Sequence, residues 1–166
     1  MAKFTMELPT EILKDVDFVQ KNAIEIFGGM TRAGAKVVKA DIEARTRTVF
    51  KPATAEKMNK KLKITKTYDT PSDGGINTKV AFYGYIKKVN GLPFKIRGYT
   101  SKQGVPAPFL AALREYGGDL GQMPEQFKRY WRQKKPFVRP AFANKTAITN
   151  AMLKAQKELS GGILDD

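Results

Sequence analysis

The segment FKRYWRQKKPFVR, residues 127–139, interleaves six basic side chains with Phe127, Tyr130, Trp131 and Phe137. Ring faces for stacking beside guanidinium and ammonium groups for phosphate are the chemistry of single-strand nucleic-acid binding. The same composition also suits rings packed on a sheet while the basic heads reach water. Lys128, Arg129, Trp131, Arg132, Lys134 and Lys135 are therefore candidates for contact with a protein partner or with DNA. A second lysine-rich stretch, EKMNKKLKITK (residues 56–66), reads as a solvated linker and an exposed strand face. Reactive chemistry is scarce. The chain has no cysteine and no histidine, so disulfides, thiolate metal sites and the commonest general base are excluded. Gly28-Gly29, Gly74-Gly75 and Gly117-Gly118 lack the Lys-Ser/Thr of a phosphate loop, and none follows a strand and opens a helix. The carboxylate pairs Glu11/Asp15 and Asp165/Asp166 answer to helix-start electrostatics and to a charged tail. The expectation is a protein that is not an enzyme and holds neither metal nor cofactor.

The elements that must position these residues can be read from periodicity. Residues 1–8 alternate Phe4, Met6 and Leu8 ahead of Pro9, as an arm or edge strand would. From Thr10, apolar residues at Ile12, Val16, Val19, Ala23, Phe27, Met30, Gly34, Val37 and Ile42 trace one stripe of a long helix. Gly28-Gly29 forms a weak point within it. The stripe at Val16, Val19, Ala23 and Phe27 is expected to be buried, on the sheet or in a subunit contact. TRTVFKPATAEKMNKK, with Pro52 stopping the helical pattern, reads as a polar linker. LKITKTY (62–68), INTKVAFYGYIKKV (76–89) and LPFKIRGYT predict strands of an antiparallel meander, with Asn90-Gly91 as a hairpin turn. VPAPFLAALREYGG (105–118) predicts a helix with proline at its start and glycine at its end. Asn144 caps a last helix lined by Ile148, Ala151, Met152, Ala155 and Leu159, which Gly161-Gly162 ends. The fold class is α+β: an antiparallel sheet of three to four strands flanked by a long N-terminal helix and a C-terminal helix. At 166 residues the chain reads as a single domain, 1–166, with an arm at 1–9 and a tail at 161–166. No apolar run reaches the length of a membrane span, so no membrane is expected. The formal net charge of +14 favours an acidic partner, nucleic acid or protein.

One pairing of motifs is more specific. The triplet EYG at Glu115, Tyr116 and Gly117 is followed by PFVRPAF, with Pro136, Phe137, Arg139 and Pro140, ahead of the last helix. With MTRAGAKVV in the long helix and the strand run after it, this order resembles the head–tail joining and tail-completion family of long-tailed bacteriophages. That is the family of the HK-type minor neck protein, related to the minor tail protein Z of lambda-like phages. The resemblance covers residues 10–159, and residues 119–135 are longer than the family pattern and read as an insertion. It implies a virion structural protein of the neck, assembled in the host cytoplasm. There it would be a connector that completes the tail and joins it to the head as a homo-oligomeric ring around the DNA channel, with sixfold symmetry expected. Its partners would be the tail-terminator and head-connector proteins, with non-specific DNA contact. Pro136 and Pro140 stiffen an extended connection, Phe137 and Phe142 are expected to dock on the sheet, and Arg139 can pair with a carboxylate, Glu115 being one candidate. This stretch then acts as a structural latch for the final helix. Two other classes stand beside it: a basic nucleic-acid-binding protein, and an assembly factor absent from the finished particle.

Overall fold

A computed structural model describes residues 10–70, 74–89, 92–93, 104–118, 133–161 and 163–164. The arm expected at 1–9 and all but the last three residues of the 119–135 segment lie outside them.

The long helix α1 runs Thr10–Val49 without a break, 40 residues with Glu11 in its first turn. At 1.5 Å per residue it is about 60 Å long. Gly28 and Gly29 do not interrupt it, because they serve packing. A Cβ on Gly29 would meet the Leu159 side chain, and one on Gly34 would stand 3.0 Å from Met152 and 3.2 Å from Ile148. The missing side chains let the last helix lie close against α1. That last helix, α4 (Lys145–Ser160), begins as expected. Asn144 accepts a hydrogen bond from the Ala147 N–H, and Gly161 leaves the helix in the left-handed region at φ 63°.

The stretch read as a linker is instead a helix, α2 (Pro52–Lys61). Pro52 stands at its first positions, where a missing N–H costs nothing, so the residue that ends one helix starts the next. Thr54, Ala55 and Met58 are buried at helical spacing, and Leu62 follows in the same phase.

The strands are shorter and more divided than a sheet of three to four strands. β1 (Leu62–Ile64) pairs with β4 (Val80–Phe82), and β2 (Tyr68–Thr70) pairs with β3 (Gly75–Asn77). β5 (Tyr85–Ile86) pairs with β8 (Val105–Pro106), and β6 (Lys88–Val89) pairs with β7 (Leu92–Pro93). Among the described residues all are antiparallel and each sheet has two strands. β6 and β7 pair from Val89 to Leu92, and the hairpin turn expected at Asn90-Gly91 lies outside the described residues. The strand expected to follow falls on 94–100, outside the described residues. The first ribbon is broken where Thr65 turns its hydroxyl to the Lys79 N–H, replacing a ladder bond with a side-chain one. The second break falls at Gly84, whose φ of 74° no strand residue adopts. The alternation itself holds: Phe82 and Ile86 are buried, while Tyr83 and Tyr85 face solvent.

The core gathers Val38 and Ile42 from α1, Phe50, Met58 from α2, Leu62, Phe82 and Ile86 from the strands, and Val105 and Leu110. Phe137 and Ala141 close it. Burial along α1 begins only at Ile26. The stripe expected to be buried on the sheet or in a subunit contact is not covered within the monomer: Val16 is 56% exposed and Phe27 38%, with Val19 and Ala23 half-buried. The strands begin fifty residues further along the chain and lie against the second half of α1, leaving its first half beyond their reach. Among the described residues no helix is long and apolar enough to cross a membrane.

Candidate functional site

Helix α3 (Ala107–Tyr116) starts after Pro106 and stops at Gly117, whose φ of 73° turns the chain away. Its apolar face, Ala107, Leu110, Ala111 and Leu113, lies in the core. Arg114 and Glu115 are buried at its last turn. A carboxylate there faces the negative end of the helix dipole and has left water, so its position needs donors.

Three backbone N–H groups supply them. The Glu115 Oε2 accepts from Phe137 N at 2.8 Å and Val138 N at 2.9 Å, and Oε1 accepts from Arg139 N at 3.0 Å. Consecutive N–H groups converging on one anion form a nest, here closed around a side chain of the same molecule. The nest opens a 3₁₀ turn, Arg139–Phe142, whose first donors have no partner within the turn. Arg114 extends the strap on the other side. Its Nη1 donates to the Gln133 carbonyl at 3.1 Å, and its own carbonyl accepts from Lys135 N at 2.9 Å. Main-chain groups of residues 133, 135 and 137 therefore face α3, while Pro136 between them is exposed and its missing N–H costs no bond. Pro140 stands at the start of the 3₁₀ turn, again where a donor is not needed.

Phe137 is completely buried. Its ring meets Phe50 edge-on at 5.5 Å between centroids and Phe82 tilted at 6.0 Å, so the strap is nailed to both the α1–α2 corner and β4. Phe142, expected to dock beside it, is 51% exposed, because the 3₁₀ turn places Ala141 inward instead. The guanidinium of Arg139 does not pair with Glu115. It lies 4.8 Å over the exposed Tyr116 ring as a cation–π contact, while the carboxylate is held by three main-chain donors.

The structure thus brings Glu115, Tyr116, Gly117, Pro136, Phe137, Arg139 and Pro140 into one unit. Of the other candidates, Lys134 and Lys135 are exposed beside it. Lys128, Arg129, Trp131 and Arg132 fall outside the described residues. Sequence reasoning missed Arg114, although its place one residue before EYG was a signal. A buried arginine can serve a strap by binding a main-chain carbonyl, and a carbonyl carries no signature in residue type.

What the fold and this unit define is a mixed α+β protein whose final helix is tied to the core by a carboxylate latch. No family, no curated protein and no solved structure matches the chain.

Proposed function

We propose that this chain is a virion structural protein of the bacteriophage neck, completing the tail and joining it to the head as a subunit of a ring around the DNA channel. The reading is carried by the coupling of EYG to PFVRPA. The two motif halves that the resemblance links across the intervening segment are the ones that meet through Glu115. A neck component works under load between two rings, and a final helix strapped to the core by buried bonds suits that role. The net charge of +14 is compatible with a channel that DNA traverses, where phosphate contact is diffuse and independent of sequence. The ring would be a homo-oligomer of sixfold symmetry, meeting a tail-terminator ring on one side and a head connector on the other.

Mass spectrometry of purified virions tests this directly. The expected result is the chain at a few copies per particle, with its deletion leaving tails and filled heads separate. Absence from virions, with assembly nonetheless blocked by the deletion, would replace it with an assembly factor. Changing Arg129, Arg132 and Lys135 to glutamate separates protein from DNA contact. Loss of joining marks a protein interface, whereas intact particles that fail to deliver DNA mark the channel.

A further inference from the structure

Among the described residues, two apolar surfaces stay open, and α1 contributes to both. The first is the free half of α1, where Ile12, Val16, Val19 and Ala23 with Ile163 and Leu164 line an open groove of about 550 Å³. The second is a groove of about 450 Å³ between the middle of α1, β4, the 3₁₀ turn and α4, with Val38, Val80, Phe142, Ile148 and Met152 in its walls. Phe142 at 51% and Val16 at 56% exposure are large apolar side chains left in water.

The charges of these surfaces are opposed. Between Thr10 and Phe27 the helix carries Glu11, Asp15, Asp17 and Glu25 against Lys14 and Lys21 alone, in a chain of net charge +14. The rest of the molecule therefore holds all of the positive excess. Asp15 lines the first groove. The second has no carboxylate in its walls, and its one charged residue is Lys79. The two cannot meet within one molecule. Thr31 and Gly34 of the same unbroken helix line the second groove, and at 1.5 Å per residue Val16 stands more than about 20 Å away along a rigid rod.

We infer that the acidic, apolar tip of α1 docks into the Phe142 groove of a second copy of this chain. Pairing two tips would set like charges together, whereas tip into groove brings an acidic surface to walls whose one charge is the Lys79 ammonium. Such a contact is heterologous: each copy offers a tip to one neighbour and a groove to the other, so it closes into a ring or runs on as a filament. The inference rests on the neck reading for its setting and names the surfaces that the ring would use.

The test is sedimentation velocity on the full-length chain over a range of concentrations, with Val16→Asp in the tip and Phe142→Asp in the groove. Both sites are exposed, and unchanged thermal melting of each variant confirms its fold. The wild type is expected to associate beyond a dimer, and each variant alone to be monomeric. An equimolar mixture of the two variants retains one good tip and one good groove, and should give one-to-one dimers that grow no further. A wild type monomeric throughout would overturn the contact, as would a mixture that stays monomeric or either variant associating as the wild type does. Those failures leave the neck reading standing if virions contain the chain. Virions that lack it would end the neck reading and leave the contact.

Discussion

Replacing Glu115 with glutamine keeps the shape of the latch and removes its charge. The carboxylate accepts at 2.8, 2.9 and 3.0 Å from three successive N–H groups. Bonds to a charged acceptor contribute about 1.5–3 kcal/mol each against roughly 1 kcal/mol for neutral pairs. The glutamine oxygen can keep the Phe137 and Val138 donors at that reduced strength, but its NH₂ must then face the Arg139 N–H, donor against donor. Solvent beside the exposed Arg139 softens that last conflict. The net expectation is a loss of about 2–4 kcal/mol. For a chain of this size that is a fall in Tm of roughly 10 °C, read by circular dichroism. The paired control is Arg139→Ala, which deletes the guanidinium over Tyr116 and keeps the N–H. It should cost only about 0.5–1 kcal/mol. If Arg139→Ala proved the more damaging of the two, the anchor would be a side-chain ion pair and the main-chain nest would be refuted.

Phe137→Ala should cost about 3–5 kcal/mol and sharply lower the yield of soluble protein, whereas the double change Lys134→Ala, Lys135→Ala should leave thermal melting unchanged. Phe27→Ala, at a position 38% exposed, should shift the melting of dilute subunit by less than about 1 kcal/mol equivalent; a core-sized loss would show that the tip is covered within the monomer. Gly34→Leu should force α4 from α1 and destabilise by about 1–3 kcal/mol, while Gly34→Ala, whose Cβ crowds only side-chain atoms of Met152 and Ile148, gains helix propensity and should come out near neutral by the same melt. The hydrogen bond and charge of Lys60 hold the Glu56 carboxyl below its ordinary range. A depressed carboxyl stabilises above its unfolded pKa and loses that contribution as pH falls through its folded value. On so exposed a pair, Glu56→Gln should nevertheless leave the pH–stability curve unmoved outside the acid limb.

What could be read from sequence was what local chemistry decides alone. Gly117 and Gly161 ended helices where expected, and Asn144 capped one. Pro52 misled because proline both ends one helix and begins another, and only the burial of Ala55 and Met58 decides which. The division of the ribbon at Thr65 could not be seen, since a threonine in a strand does not announce that its hydroxyl will take a backbone donor. The pairing of Glu115 with the proline-rich stretch was legible, but not through which atoms. A carboxylate invites an arginine as partner, and three main-chain donors carry no signature in residue type. The apolar stripe of α1 was equally visible along its length, yet periodicity does not say whether a partner lies within the same chain.

The latch has a consequence for how such a chain can change. Arg114 and Glu115 grip Gln133, Lys135 and residues 137–139, so both ends of the intervening stretch are moored to the same turn of α3. Mooring both sides of the intervening stretch to one helix turn fixes the span between them, and for a flexible loop the closure term grows only with the logarithm of length, about 0.6 kcal/mol per doubling. The residues of the clasp are held to their identities by the bonds they make.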